Sequence, residues 1–166
     1  MASHINKAGC DTATDDDVCV FVNAARDGKT QRIADDLKRF GSNFANANLG
    51  GTTGLMLAAF HGHTGVMKLL LENGADTEAR NRDDDTALTW ALYGKKPDAA
   101  ILLLDYGANV DVVNSMGETP FTYAEKLGRQ DIIAWMKTST PRNIERIVEA
   151  GVQQPLPVHK PLRLRR

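Results

Sequence analysis

Two cysteines in 166 residues, Cys10 and Cys19, are too few and too close to one end to form the disulfide framework of a small secreted domain. The expected compartment is therefore reducing and intracellular: cytoplasmic, with the nucleus as a second location. A basic excess is also missing. Twenty Lys and Arg stand against twenty-one Asp and Glu, a formal net charge of −1, so neither nucleic acid nor an anionic membrane is an expected partner. Long apolar runs are absent as well. Val66-Met67-Lys68-Leu69-Leu70-Leu71 and Ala99-Ala100-Ile101-Leu102-Leu103-Leu104 reach about a third of the ~20 residues that a bilayer-spanning helix needs, and they read as faces of core helices. The opening MASHINKAGC has no apolar core of signal-peptide length, and Ala2 stands where myristoylation requires glycine.

Convergent chemistry is equally scarce. His61 and His63 lie two apart with no cysteine or third histidine near them in sequence, which is poor zinc spacing, and His63 reads as a turn residue bonded to backbone. Gly50-Gly51-Thr52-Thr53-Gly54 lacks the lysine of a phosphate loop and reads as a hairpin leading into a helix. The cysteines have no C-x-x-C spacing, and Cys19 sits in an apolar run as a core thiol. Asp15-Asp16-Asp17 lacks the glycine and closing glutamate of a calcium loop; acidic residues in the first turn of a helix account for it. No catalytic, cofactor or metal residue is assigned, and the expectation is a non-enzymatic protein.

What the chain does contain is a repeat. Thr53-Gly54-Leu55-Met56-Leu57-Ala58 recurs as Thr86-Ala87-Leu88-Thr89-Trp90-Ala91 and as Thr119-Pro120-Phe121-Thr122-Tyr123-Ala124, with a spacing of 33 residues each time. Gly74-Ala75-Asp76 and Gly107-Ala108-Asn109 keep the same interval, so two independent markers fix one register. The best-formed unit, 48–80, reads NLGGTTGLMLAAFHGHTGVMKLLLENGADTEAR. Unit 81–113 replaces the Gly62-His63 turn with Lys95-Lys96, and unit 114–140 has Glu125 where a second alanine belongs. A degenerate first unit, 14–47, aligns Ala24-Ala25-Arg26-Asp27-Gly28-Lys29 with Ala58 to His63 at an offset of 34.

The unit resembles the ankyrin repeat, whose length and T-P-L-H-x-A signature it follows. The resemblance covers about 14–140 and implies an all-α solenoid of helix-turn-helix units joined by hairpin loops, with terminal units adapted to cover the core on one side and meet water on the other. Threonine can N-cap the inner helix, proline suits the first helical position, paired alanines let inner helices approach, and the leucines of the second helix bury between units; the opening helix of the first unit lacks the Thr-Pro start and reads Val18-Cys19-Val20-Phe21-Val22. Gly74 and Gly107 end outer helices in the left-handed conformation. Trp90 and Trp135 fall at core-facing positions and read as packing residues.

The resemblance further implies that a partner protein meets the positions that vary between units. These are Leu49, Gly50 and Thr52 at the first hairpin tip, Arg82, Asp83 and Asp85 at the second, and Ser115, Met116 and Glu118 at the third. On the inner helices they are Arg26, Asp27, Phe60, His61, Tyr93 and Lys126. Phe60 and Tyr93 occupy equivalent places and are the aromatic candidates for interface anchors; packing over the neighbouring helix is the alternative for both. Asp83-Asp84-Asp85 can steer a basic partner or serve only as a solvated loop.

Around this array lie a flexible segment, 1–13, a capping helix, 141–151, and a basic proline-containing tail, 152–166. Lys160-Pro161-Leu162-Arg163-Leu164 resembles a short cyclin-docking motif, with nuclear import or plain solvation as alternatives. Without the four basic groups of 160–166, the chain carries sixteen basic against twenty-one acidic side chains, a net of −5. The function expected is that of a monomeric protein-interaction module. A kinase or cyclin complex is the more specific partner suggested by likeness to the small ankyrin-type inhibitors of cyclin-dependent kinases. Those inhibitors shorten the inner helix of their second unit, and here that helix is full length.

Overall fold

A computed structural model describes residues 13–139; the capping helix and basic tail expected from the sequence lie outside the described residues. Eight α-helices alternate in two layers among the described residues. The inner helices are α1 (Asp15–Arg26), α3 (Gly54–His61), α5 (Ala87–Tyr93) and α7 (Pro120–Lys126), and the outer ones are α2 (Thr30–Phe40), α4 (Thr64–Glu72), α6 (Pro97–Asp105) and α8 (Gln130–Ser139). Each layer packs side by side in chain order. A 3-10 turn, Ser42–Asn46, links the first unit to the second.

Local chemistry sets the helix starts. Thr14 opens α1 with a capping box: its hydroxyl accepts from the Asp17 amide at 3.2 Å, and the Asp17 carboxylate accepts from the Thr14 amide at 2.9 Å. That backbone bond holds the Asp17 carboxyl below its ordinary range. The acidic run therefore sits on the positive end of a helix dipole. Thr53 and Thr119 cap α3 and α7 through the amides of Met56 and Thr122. Thr86 departs from the rule: it holds the N-cap place of α5, yet its buried hydroxyl has no partner.

Hairpins stand between units. β1 (Asn48–Leu49) pairs antiparallel with β2 (Thr52–Thr53) around Gly50 and Gly51, both at positive φ as such a two-residue turn requires. Asparagine organises each hairpin at the 33-residue interval. The Asn48 side chain accepts from the Gly51 amide, Asn81 from those of Asp83 and Asp85, and Asn114 from those of Met116 and Glu118.

One continuous core fills the space between the layers, with Phe21, Ile33, Leu55, Met67, Leu70, Leu88, Leu103 and Ile132 almost fully enclosed. Ala24, Ala25, Ala58, Ala59, Ala91 and Ala124 are all buried where inner helices meet, which is the close approach that small side chains permit. Gly94 lies so near the Phe60 carbonyl that no side chain fits there. Gly74 and Gly107 take the expected left-handed conformation just after α4 and α6.

Candidate protein-binding face

The repeat carries two rows of side chains along the inner helices. One row holds Leu57, Trp90 and Tyr123, with Asn23 in the first unit; the other holds Arg26, Phe60, Tyr93 and Lys126. The first row was not among the expected partner-facing positions, although the same 33-residue arithmetic reaches it. All four of its members are half-buried. Trp90 packs against the core as expected, but its ring also meets the exposed Phe60 edge to face at 5.9 Å, and its indole nitrogen is buried without a partner. Trp135 packs against the core.

Phe60 stands out on this face. It is 37 % exposed and stacks on both Trp90 and His61, with ring centroids 5.9 and 5.1 Å away. Its equivalent, Tyr93, is committed to packing and hydrogen bonding. The Tyr93 ring sits edge to face on Tyr123 at 4.7 Å, and its hydroxyl donates to Asp85 Oδ1 at 3.1 Å and accepts from Asn114 Nδ2 at 3.2 Å. Burial first, then the adjacent Asp85 carboxylate, drives the Tyr93 phenol well above its ordinary ionisation range.

Asp85, expected at an exposed tip, is instead buried at 5 % exposure. The reason is visible in its partners: Asn114 Nδ2 at 2.8 Å and the Tyr93 hydroxyl hold the carboxylate against the start of the next unit. The acidic run is therefore broken into a buried Asp85, an exposed Asp83 and an Asp84 that turns through positive φ beside Arg80. Glu118, the unit-four equivalent of Asp85, is half-buried and pairs with Lys126, the equivalent of Tyr93. Units three and four thus brace each hairpin against its own inner helix, by a hydrogen bond in one and an ion pair in the other. In unit two the same two places hold Thr52 and Phe60, which form no such brace.

The unbraced hairpin borders a groove of about 360 Å³ lined by Leu49, Gly50, Thr52, Asn81, Arg82, Asp83 and Trp90. Leu49 is exposed, Thr52 half-buried, and the Arg82 guanidinium lies against Gly50, bridging the first two tips. Ser115 donates its amide to the Asp83 carbonyl at 2.9 Å, tying the second tip to the third. Met116 at that third tip is 65 % exposed. At the other end of the inner layer, exposed Arg26 pairs with Asp27, which also meets Lys29. Arg26 first, then Lys29, holds the Asp27 carboxyl below its ordinary range.

The remaining candidates for chemistry have structural explanations. His63 Nε2 lies 2.9 Å from the Arg26 carbonyl oxygen, the backbone role expected of it. Cys19 is half-buried, and its sulfur accepts from Asn23 Nδ2 at 3.3 Å. Among the described residues no three His, Cys, Asp or Glu gather closely enough to hold a metal ion, and no helix is long and apolar enough to cross a membrane.

Comparison with known proteins decides the lineage. A family profile described as "Ankyrin repeats (3 copies)" matches residues 21–114 and 55–145. The chain belongs to the ankyrin repeat family. It is 33% identical over 96 residues, 58% of its own length, to protein phosphatase 1 regulatory subunit 12A of Mus musculus, and this covers 9% of that protein. It is 40% identical over 74 residues, 45% of its length, to neurogenic locus notch homolog protein 1 of Homo sapiens, covering 3% of that protein. The chain thus spans less than a tenth of the length of these curated relatives. Ankyrin repeats are generally protein-interaction modules.

Proposed function

We propose that this ankyrin array captures one partner protein on its concave face, centred on Phe60 and the groove beside it. The observation that carries the reading is the exposed Phe60 ring set on Trp90, next to the groove of about 360 Å³ between two hairpin tips. An aromatic anchor on a rigid helical platform contributes affinity without a large ordering cost. Arg82 and Asp83 flank the groove with opposite charges and select orientation. Leu49 and Met116 extend the apolar contact along the tips. Tyr93 and Asp85 support this face from beneath.

The test is affinity capture from the native cell with Phe60→Ala, Arg82→Ala and Met116→Ala, against Lys68→Ala and Glu72→Ala on outer helix α4. Loss of about 1–2 kcal/mol of binding is expected for Phe60→Ala, and little change for the α4 pair. Equal retention by both sets overturns the reading.

A finer reading is that the partner is an enzyme of protein phosphorylation that the array regulates, in the cytoplasm and the nucleus. Support comes from one relative that is by name a phosphatase regulatory subunit and from the likeness to ankyrin-type kinase inhibitors. The eight-residue α3 of unit two separates this chain from the shortened form of those inhibitors, so the class of enzyme is the open variable. Kinase and phosphatase assays on the captured complex test it; activity unchanged by added array removes the regulatory reading and leaves the binding one.

A further inference from the structure

The turns joining inner to outer helices form the edge of the array opposite the hairpins, and each carries a basic side chain at the same place. Lys29, His63, Lys96 and Arg129 occupy equivalent places in the four units. Lys29, His63 and Lys96 hold the N-cap places of α2, α4 and α6, and none caps its helix with a side-chain bond. These places favour Ser, Thr, Asp or Asn, and a cation beside the positive end of a helix dipole is unfavourable. The edge therefore gathers positive potential at the expense of helix stability.

At its two ends this charge is paired with a carboxylate. Asp27 meets Lys29 and Arg26 in unit one, and Asp131 meets Arg129 at 2.7 Å in unit four. In the middle it is not. Lys95 and Lys96 are exposed and make no ion pair among the described residues. The Lys96 stem lies over Gly62, between units two and three, and beside that glycine His61 and His63 stack with ring centroids 5.9 Å apart. Asp98, in the first turn of α6, is the one carboxylate on the stretches 60–65 and 94–99. Lys95 also carries backbone strain. Its φ is +55°, and the equivalent places hold Gly28, Gly62 and Gly128, all at positive φ. Unit three thus places an unpaired lysine where its neighbours keep a glycine.

We infer that the Lys95-Lys96 edge, with His61 and His63, is a second docking surface that takes a short acidic segment of a partner protein. Charge complementarity names the occupant. A long polyanion such as nucleic acid is disfavoured, because 1–159 carries a net −5 and the unpaired charge is confined to two units. A second copy of the chain is a poorer fit, since Arg80 and Arg82 interleave with the carboxylates of its hairpin edge. The surface is separate from the groove on the concave face and stands or falls without it.

The experiment is a titration of the full, isotope-labelled chain with a synthetic dodecapeptide of glutamates around one central leucine, followed by amide NMR shifts. Shifts are expected at Gly62 to Thr64, at Gly94 to Lys96 and at Asp98, with binding weakened about threefold or more between low and physiological salt. Lys95→Gly/Lys96→Gln is expected to lower affinity about fivefold or more while melting no earlier than the parent, since it also relieves the strained φ. Three results overturn the inference: no shift at millimolar peptide, shifts centred on the hairpin tips, or a single-stranded oligonucleotide of equal length binding this edge as tightly. Failure here leaves the concave-face reading intact, because Phe60→Ala is tested by capture of the native partner.

Discussion

Replacing Gly94 by alanine tests the packing of the inner layer. A Cβ at Gly94 would lie 1.9 Å from the Phe60 carbonyl oxygen, 2.8 Å from its carbon and 3.0 Å from its Cα. All three atoms are backbone, so no side chain can rotate out of the way, and α3 and α5 must part by about 1 Å in a close-packed layer. Overpacking of this kind costs about 3 kcal/mol, the upper part of its usual range, because the obstacle is main chain. Alanine restricts the unfolded chain and returns roughly 0.5–1 kcal/mol. The net is a loss of about 2 kcal/mol, or a melting temperature lower by about 6 °C for a chain of this size. Gly65 is the control. It is exposed in α4, and the nearest atom to an added Cβ is the Thr30 hydroxyl at 3.6 Å, so Gly65→Ala is expected to stabilise by about 0.5–1 kcal/mol. Thermal and urea unfolding followed by circular dichroism compares the two variants. If Gly94→Ala melts at or above the parent, the close contact of α3 and α5 does not exist as described.

Three further predictions concern single side chains. Tyr93→Phe keeps the ring contact with Tyr123 but strips a bond from buried Asp85, and urea unfolding is expected to show a loss of about 1–2 kcal/mol. In the parent, Tyr93 is more easily kept neutral when folded than unfolded, so its contribution is full below about pH 10 and is lost as pH rises beyond that. Phenolate absorbance should show one deferred tyrosine that disappears in Tyr93→Phe. Lys95→Gly alone removes a left-handed φ at a residue with a side chain and is expected to raise stability by about 1 kcal/mol, read from the urea midpoint. The Asp131 carboxyl, held down to about 2 chiefly by its bond to Arg129, should titrate there by carbon-detected NMR and return toward the ordinary range in Arg129→Gln. Its small contribution to folding is present above the ordinary aspartate value and fades as pH falls toward 2.

Much of the array was legible because the repeat multiplies each signal. Thr53, Thr86 and Thr119 before the three later inner helices, the buried alanines Ala58, Ala91 and Ala124 between them, and Gly41, Gly74 and Gly107 after the outer helices all fell where a 33-residue interval placed them, and His63 took its turn position. Asn48, Asn81 and Asn114 follow the same interval and organise the hairpins; the signal was present in the spacing and needed only the known ability of asparagine to bond nearby amides. Trp90 was half legible. Its place on the inner helix indicated packing, and that is correct, but the groove it lines is created by its own unit's hairpin together with the small Gly50 and Thr52 of the preceding unit. Asp85 could not be read correctly from a row of three aspartates. Its burial depends on Tyr93 eight residues later and on Asn114, 29 residues later, reaching the same oxygen.

The sequence alone determined the period, the layer to which each helix belongs and the row in which each variable side chain stands. These are local properties repeated in register, and each repetition confirms the others. Tertiary structure alone decided which members of a row are free. The place of Gly94 holds Asp27, His61 and Leu127 in the other units, so no pattern demands a glycine there; contact with the Phe60 carbonyl does. Likewise Phe60 and Tyr93 are equivalent by count, yet one is exposed and the other tied to Asp85 and Asn114. Exposure is set by the neighbouring unit, whose side chains differ from place to place, and a single repeat's residues carry no record of that neighbour.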